Sequence, residues 1–317
     1  MISVVLCTYN RCESLRNSLK SVLASQLPPS VDWEIVVVDN NSSDQTAKAV
    51  EQISAIVPSR IRYLFEPRPG KSHALNAGIC AAGGDVIAFM DDDVTVGPTW
   101  LRNLTAPLES GAWAGVGGRV IPEWRLPPPS WLPVQDVLGA LVSFDLGDLA
   151  GPLREPPFGT NMAFRKAVFK KYGGFRLDLG PQPGCEIRGE DSEFGHRLLS
   201  AGEQLWYEPN ALVYHPVPED RCHPEYFLSW WFDKGRAGVR EQGQLNSGNW
   251  TIANVPLYLF RRLLRRSVQW IFSITPSRRL SNKLKVWTLA GAVVEHYRRR
   301  YQTKEDRCEA LRQDAAI

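Results

Sequence analysis

Short apolar runs alternate with segments of helical periodicity along the first third of the chain. The apolar runs, which are rich in β-branched residues, predict strands at residues 2–6, 34–38, 61–65 and 86–90. Apolar residues at helical spacing predict helices at residues 12–25, 44–53 and 71–81, the second capped by Ser42 and Ser43. This alternation is typical of an α/β fold, in which helices flank a sheet of mostly parallel strands.

Polar residues follow these strands at the ends where such sheets bind their ligands. The ends fall at residues 7–10, 39–40, 66–67 and 91–93, and three of the four are strongly polar. Stability alone does not require polar side chains to cluster after apolar strands. We therefore expect a binding site at this edge of the sheet.

The second half of the chain is less regular. Proline and tryptophan become frequent between residues 122 and 157, so regular structure is expected to lapse there. Helices are expected again at residues 166–171 and 191–201, because glycines follow both segments. Beyond Trp250 the sequence predicts basic, partly amphipathic helices.

Composition indicates a globular chain. Its 317 residues are 44% hydrophobic and 22% charged, and they show no internal repeat, which argues against disorder, solenoids and propellers. The six cysteines form no CxxC pair, and no apolar stretch approaches the roughly 18 residues needed to cross a bilayer. No signal peptide precedes the first strand, so we expect a cytoplasmic protein.

The charge is unevenly distributed. Residues 1–249 hold 23 Lys and Arg against 29 Asp and Glu, a net −6, whereas residues 250–317 hold 14 against 5, a net +9. Between residues 261 and 266 four arginines alternate in pairs with leucines, a mixture typical of helices on an anionic membrane surface. The alternative is a helix packed on the rest of the protein with its arginines solvated.

Asp91, Asp92 and Asp93 form the strongest single motif, because they directly follow an apolar strand. Adjacent carboxylates raise each other's pKa unless a cation neutralises them, and a hard divalent cation is a natural partner. A solvated turn is the alternative, since aspartate is common in turns.

Two further segments could bind a nucleotide. Residues 39–44 begin with Asp39 and are rich in short hydrogen-bonding side chains, which could contact a base or ribose but also suit an ordinary turn. Residues 70–78 pair a glycine with Lys71 at a helix start, as in phosphate-binding elements. They lack the Walker A pattern, and a plain helix N-terminus is the alternative.

Asp191 and Glu190 open a predicted helix, where the helix dipole favours an ionised carboxylate. Such a carboxylate suits a general base, although capping of the helix is the alternative. His215 follows an apolar run and could ligate a metal as neutral imidazole, or merely end a strand.

Together these motifs resemble the family 2 glycosyltransferases of the GT-A fold, over roughly residues 1–240 and in the same order. The resemblance implies a Rossmann-like nucleotide-binding mixed sheet flanked by helices, followed by a basic helical C-terminal extension. The residues that carry it are 3–11, 36–44, 70–78, 91–93, 159–162 and 189–191.

The resemblance also implies roles for individual residues. Thr8 and Asp39 are expected at the nucleotide base and Asp92 towards the ribose. Asp91 and Asp93 are expected to bind metal, Mn²⁺ or Mg²⁺, and the diphosphate. His215 is expected to make a further metal or phosphate contact, and Asp191 to deprotonate the acceptor hydroxyl. The substrate-binding residues are expected to be Thr8, Tyr9, Asn10, Arg11, Asp39, Lys71, Asn76, Asp91, Asp92, Asn161 and Glu190.

The implied reaction is a single displacement that inverts the anomeric carbon of a nucleoside-diphosphate sugar. UDP is expected as the nucleotide by analogy, with dTDP and GDP open, and the acceptor is a glycan or a lipid-linked intermediate. A retaining route through a carboxylate nucleophile stays an alternative. The acceptor side is expected after residue 117, with Trp124, Trp131 and residues 159–162.

We predict a catalytic domain at residues 1–245, divided into a nucleotide-binding half (1–120) and an acceptor-binding half (121–245), and a basic region at residues 246–317. A non-catalytic sugar-nucleotide-binding module is the main alternative function. A sugar nucleotidyltransferase or dehydrogenase is less favoured, because the loop after the first strand lacks glycine. We expect no nucleic-acid partner.

Overall fold

The computed structural model describes residues 1–125, 127–243 and 250–299. Of the predicted C-terminal region, residues 246–249 and 300–317 therefore lie outside the described residues. The domain boundaries proposed above stay predictions.

Strands from both halves of the chain form one mixed sheet. In chain order its strands are β1 (Ile2–Thr8), β2 (Trp33–Asp39), β3 (Ile61–Phe65), β4 (Val86–Asp91), β5 (Thr95–Val96), β6 (Gly115–Trp124), β7 (Gly151–Leu153), β8 (Met162–Arg165) and β9 (Leu205–Val217). Within the described residues the strand order is β3-β2-β1-β4-β8-β6-β9-β5, with β7 also paired to β9. A separate hairpin pairs β10 (Thr251–Ile252) with β11 (Val255–Pro256).

Helices cover the sheet and continue into the C-terminal region. They are α1 (Cys12–Leu23), α2 (Thr46–Ile56), α3 (Lys71–Ala81), α4 (Trp100–Glu109), α5 (Val134–Val137), α6 (Lys166–Tyr172), α7 (Glu190–Ser200), α8 (Pro224–Gln242), α9 (Leu257–Ile271) and α10 (Pro276–Arg299). None of the described helices is both long enough and apolar enough to cross a bilayer.

The four N-terminal strands are parallel, as their apolar runs predicted. β1 lies between β2 and β4, and its register pairs Thr8 with Asp39 and Cys7 with Asp91. Val4, Val5 and Leu6 are fully buried, because helices cover both faces of this part of the sheet. The parallel register therefore brings the polar strand ends to one edge.

The structure corrects two expectations. Ser42 and Ser43 do not cap α2, which begins at Thr46; the N–H and the hydroxyl of Thr46 donate to Asp44 Oδ1 instead. Regular structure also persists between residues 122 and 157, because β6 pairs with β9 as far as Trp124 and the segment also holds α5 and β7. The sequence pattern does not predict this pairing, because β6 and β9 are far apart along the chain.

The C-terminal helix α10 packs closely against α8. A Cβ atom added to Gly235 would lie 1.9 Å from the carbonyl oxygen of Thr288, and one added to Gly291 would lie 2.0 Å from that of Phe232. The two glycines thus let the helix backbones touch. Buried Glu295 on α10 adds ion pairs to two arginines of α8, Arg236 at 3.1 Å and Arg240 at 2.7 Å.

A second hydrophobic core joins α10 to the middle of the chain. Leu280 and Leu284 of α10 are buried together with Phe227 of α8 and with apolar residues around α5, including Val137 and Leu141. Trp124 and Trp131, which the sequence placed on the acceptor side, pack against this core. The core therefore ties α8, α10 and the segment after β6 together.

Candidate functional site

A cavity of about 520 Å³ opens beyond the carboxyl ends of β1 and β4, between α3, α7 and α8. It gathers most of the predicted site residues on its walls. These are Thr8, Tyr9, Arg11, Lys71, Asp91, Asp92, Asp93, Glu190, Asp191 and His215. Four other predicted residues, Asn10, Asp39, Asn76 and Asn161, do not line it.

Asp39 and Asn10 shape the loop beside the cavity. The buried carboxylate of Asp39 accepts hydrogen bonds from the backbone N–H of Ser42 at 2.9 Å and from the hydroxyl of Tyr63 at 2.7 Å. Asn10 has a left-handed backbone (φ 53°), and its side-chain oxygen accepts a hydrogen bond from the N–H of Ser43 at 2.7 Å. Both side chains thus hold the β1 and β2 loops together.

Asn76 and Asn161 are buried and bonded to the protein itself. Asn76 donates to the carbonyl of Phe175 and accepts from its N–H, both at 2.8 Å. Asn161 accepts from the indole N–H of Trp100 at 2.8 Å and donates to the carbonyls of Arg119 and Ala211. With their polar atoms so engaged, both residues position the loops behind the cavity.

Lys71 is a fixed cation at the end of β4. Its Nζ lies 2.7 Å from Asp91 Oδ1 and 3.6 Å from Glu190 Oε1. Burial opposes the charge on Lys71, but the two carboxylates outweigh burial and raise the pKa of the amine. Burial also opposes the charge on Asp91, yet Lys71 lowers the pKa of this carboxyl, whereas burial raises the pKa of Glu190.

Two arginines hold the other aspartates of the motif. Arg11 donates to Asp92 Oδ1 at 3.1 Å and to Asp93 Oδ2 at 3.0 Å, and Arg221 lies 3.4 Å from the same Asp93 oxygen. Burial nevertheless raises the pKa of Asp92 to about 6. The repulsion expected among the three carboxylates is therefore offset in part by the protein's own cations.

Asp93 and His215 offer a pair of ligands that suits a divalent metal. His215 Nδ1 lies 3.0 Å from the carbonyl oxygen of Pro216, so it donates there and leaves Nε2 with a lone pair. This Nε2 faces Asp93 Oδ1 at 3.6 Å, so two acceptors meet with room for a cation between them. Burial lowers the pKa of His215, which favours the neutral form that binds metals.

The described residues contain no cluster of three metal-ligating side chains. A site built on Asp93 and His215 would therefore leave coordination positions for phosphate oxygens and water, as Mg²⁺ and Mn²⁺ sites in nucleotide-dependent enzymes do. The second oxygen of Asp93 is oriented by Arg11 and Arg221.

Asp191 lies at the start of α7 and faces the cavity. Its Oδ2 accepts a hydrogen bond from the N–H of Gly159 at 2.7 Å, and its Oδ1 accepts one from the N–H of Ser192 at 2.7 Å. Within residues 1–125, 127–243 and 250–299, Asp191 forms no ion pair with a lysine or an arginine. Two backbone donors thus orient an accessible carboxylate, which is what a general base needs.

Sequence reasoning missed several residues of the cavity. Thr160 lies on its wall, and its buried hydroxyl has no hydrogen-bond partner within the described residues. Residues 159–162 are expected on the acceptor side, but within this motif only Asn161 has a predicted substrate-binding role, whereas it is Thr160 that lines the cavity. Arg221 and one face of α8 also line the cavity. No local pattern marks them, because the sheet and α10 bring them to the site.

Comparison with known proteins identifies the family to which this chain belongs. The family described as Glycosyl transferase family 2 matches residues 3–173. The succinoglycan biosynthesis protein ExoM of Rhizobium meliloti is 28% identical over 240 residues, covering 75% of this chain and 74% of that protein. A glucosyl-dolichyl phosphate glucuronosyltransferase of Haloferax volcanii is 28% identical over 238 residues, covering 73% and 74% respectively.

Among solved structures, the mannosyltransferase PcManGT of Pyrobaculum calidifontis, in complex with GDP-Man and Mn²⁺, superposes with a TM-score of 0.58. The two are 18% identical, and the match covers 99% of this chain and 79% of that one, so it shows a shared fold. The mixed sheet with flanking helices confirms the predicted GT-A architecture. With its family model matching more than half of its length, this chain belongs to glycosyl transferase family 2 and is a glycosyltransferase.

Proposed function

We propose that this glycosyltransferase moves a sugar, with inversion, from a nucleoside-diphosphate donor to a hydroxyl of a glycan or lipid-linked acceptor, and that it requires a divalent metal. The observation that carries the proposal is the cavity, which places the Asp93–His215 pair, Lys71 and Asp191 around one space. Solved PcManGT holds a nucleotide sugar and Mn²⁺ in the same fold.

In this proposal the donor lies along the ends of β1 and β4. Asp93 and His215 would hold Mn²⁺ or Mg²⁺, which would stabilise negative charge on the departing diphosphate. Lys71 and Arg11 add positive charge beside it, and both already lie against the aspartates of this edge. Thr8 and Asp39 are assigned to the nucleoside, as the resemblance implied.

Asp191 is assigned as the base. Held by the N–H groups of Gly159 and Ser192, its carboxylate takes the proton of the acceptor hydroxyl as that oxygen attacks the anomeric carbon. One base suffices for a single displacement. An inverting route therefore needs no second carboxylate nucleophile.

Calorimetry and turnover test the assignment together. UDP, GDP and dTDP are titrated with and without Mn²⁺ into the wild type, Asp93→Asn, His215→Ala and Asp191→Asn, with exposed Glu51→Gln as control. We expect one nucleotide to bind, and the gain in affinity from Mn²⁺ to disappear in Asp93→Asn and His215→Ala. Asp191→Asn should keep nucleotide binding and lose transfer by about a thousandfold.

Equal nucleotide affinity with and without Mn²⁺ in the wild type would contradict the metal assignment. Normal turnover by Asp191→Asn would contradict the choice of base. The product's anomeric configuration, read by NMR, separates the inverting route from the retaining one.

We also propose that α9 rests on an anionic membrane surface. A stripe of apolar side chains runs along its outer face and onto the residue that follows the helix; these are Phe260 (40% exposed), Leu264 (69%), Val268 (45%), Ile271 (64%) and, after the helix, Phe272 (77%). Exposed arginines at 261, 262 and 265 adjoin the stripe. An apolar stripe beside cations is the chemistry of a helix that lies in a lipid interface.

The opposite face of α9 is already in use. The ring of Trp270 packs edge-on against Trp287 of α10 with centroids 5.9 Å apart, and the amine of Lys283 lies over both rings. The helix is therefore packed through one face and leaves the other exposed. This supports a protein held at a surface without spanning it.

Vesicle sedimentation tests this part separately. The wild type should bind vesicles that contain phosphatidylglycerol and leave zwitterionic vesicles unbound. Phe260→Ser with Leu264→Ser, or Arg261→Gln with Arg265→Gln, should weaken binding, whereas Ile56→Ser, which changes an exposed apolar residue of α2, should not. Absence of wild-type binding to the anionic vesicles would contradict the proposal.

A further inference from the structure

One face of α8 forms the wall of the cavity that faces the start of α7. Its side chains recur at helical spacing, and they are Tyr226, Trp230, Asp233, Lys234, Ala237 and Glu241. The opposite face of α8 packs on α10 through Gly235. This wall is thus held rigidly, and the proposed donor site leaves it unused.

The wall lies close to the proposed base. Gly189 directly precedes the Glu190–Asp191 pair, and a Cβ added to it would lie 3.7 Å from Cβ of Ala237. Lys234 precedes Ala237 by three residues, which is roughly 4.5 Å along a helix axis. Lys234 therefore lies on the acceptor side, within about one helical turn of the contact with the α7 start.

Lys234 differs from the other basic residues of the cavity. The three described above contact the aspartates at the end of β4, and Arg188 lies 2.8 Å from Glu186. Lys234 has no carboxylate partner in the part of the chain that the structure describes. Lys234 is exposed, yet the cavity wall removes part of the water around its amine, and this desolvation lowers the pKa of the amine.

Aromatic rings orient this amine. Lys234 Nζ lies 5.2 Å from the ring centroid of Trp230 and 4.5 Å from that of Trp231, so both rings attract the cation. The Trp230 ring packs against the segment after α5, because a Cβ added to Gly139 would lie 3.5 Å from a carbon atom of that ring. A lysine with flexible methylenes is thus presented to the cavity as an oriented, uncompensated charge.

Resting on the proposed function, we propose that Lys234, flanked by Trp230 and Trp231, is an anion subsite for the acceptor, which carries a carboxylate or phosphate near its reacting hydroxyl. An anion there gives Lys234 the negatively charged partner that it lacks among the described residues. It also offsets the repulsion that an anionic acceptor meets at Glu190 and Asp191.

The test uses the full chain and three small probes, with and without saturating nucleoside diphosphate and Mn²⁺. Methyl glucuronide carries a carboxylate, methyl glucoside 6-phosphate a phosphate, and methyl glucoside is neutral. NMR titration should show that at least one anionic probe binds the wild type about tenfold more tightly than the neutral one. The anionic probe that binds more tightly shows whether the acceptor group is a carboxylate or a phosphate.

Variants decide whether Lys234 is responsible. Lys234→Gln should bind all three probes equally, Lys234→Arg should keep most of the preference, and Lys170→Gln, an exposed lysine of α6, should match the wild type. Equal binding of anionic and neutral probes by the wild type, or an unchanged preference in Lys234→Gln, would overturn the subsite. Nucleotide titrated alone reports on the proposed function separately, because Lys234→Gln should bind it normally.

Discussion

Thr160 and Asn161 are adjacent in sequence, yet the structure gives their side chains opposite surroundings. The hydroxyl of Thr160 is buried without a hydrogen-bond partner among the described residues, whereas Asn161 bonds to Trp100, Arg119 and Ala211. A buried hydroxyl without a hydrogen-bond partner contributes no hydrogen bond to the stability of the fold. Removal of an amide whose polar atoms are all hydrogen-bonded leaves its partners unpaired.

We expect Asn161→Ala to lower the free energy of unfolding by about 2–4 kcal/mol, because the Trp100 indole and two carbonyls lose their partner. Thr160→Val should change it by less than about 1 kcal/mol, since no bond is lost. Urea denaturation measures both. Similar losses in the two variants would contradict the distinction.

A second prediction concerns pH. Hydrogen bonds from Tyr172 at 2.5 Å and Lys171 at 2.9 Å lower the pKa of Glu203 below its ordinary 4.5. Because the folded pKa is depressed, the stabilisation is present above 4.5 and is lost as pH falls through the lowered pKa. Glu203→Gln should therefore cost about 1 kcal/mol at pH 7 and progressively less below pH 4.

Thermal unfolding at a series of pH values measures the difference between the wild type and Glu203→Gln. Glu109→Gln, an exposed carboxylate at the end of α4, is the control. A difference that is constant from pH 7 to pH 3 would show that the charge of Glu203 contributes nothing.

At this scale, residue chemistry was predictable where a motif ends a strand. The place of Asp91, Asp93 and Asp191 on the cavity wall was predictable because three successive carboxylates follow an apolar strand and because Asp191 belongs to the 189–191 motif. Arg221 and Lys234 could not, since they stand in segments without a motif and reach the cavity only through tertiary packing. Asn76 is the opposite case: it stands in a motif and was expected to bind substrate, but its side chain is hydrogen-bonded to the backbone of Phe175.

At the scale of elements, glycines determine how two helices meet. Gly235 and Gly291 allow α8 and α10 to touch, whereas Gly238, on the same helix α8, has open space around its missing side chain. The three positions therefore test the same substitution in different surroundings.

We expect Gly235→Ala to destabilise the protein by about 3 kcal/mol or more, because the added methyl overlaps the Thr288 carbonyl and forces the helices apart. Gly238→Ala should stabilise it by about 0.5–1 kcal/mol, since alanine favours helix and meets no neighbour. Chemical denaturation of the two variants is the measurement. A stabilised Gly235→Ala would show that the helices do not approach this closely.

Helices and strands were predictable from the sequence where the residues that determine them lie close together along the chain. β1 to β4 are short apolar runs and α3 follows Gly70, and the sequence placed all five within about two residues of their ends. β6 and β9 are different, because each is stabilised by pairing with the other across about ninety residues of chain. The proline-rich segment between them concealed a strand end.

At the scale of the molecule, α10 belongs to the core as much as the sheet does. Leu280 and Leu284 are buried against Phe227, and Glu295 pairs with two arginines of α8. A basic C-terminal region is easily taken for an appendage. Among its described residues, Arg261, Arg262 and Arg265 are exposed, while Leu280 and Leu284 complete a core formed by residues from the middle of the chain.

A chain that ends at Gly243 should therefore unfold at a lower temperature than the full chain, because α8 and the residues around α5 lose their buried contacts. Thermal unfolding followed by tryptophan fluorescence measures the shift. Leu284→Ala in the full chain should shift the midpoint in the same direction by less. An unchanged midpoint in the shortened chain would contradict a shared core.

The glycine contact between α8 and α10 also limits how this enzyme can be recombined with its relatives. The face of α8 that lines the cavity and the face that meets α10 lie on the same nineteen residues. If α8 alone were replaced by the helix of a relative, its cavity face would change, but so would the face that must pack against α10. Chimaeras that transfer α8 and α10 together keep the contact between the two helices, and those that also transfer the segment around α5 keep the shared core.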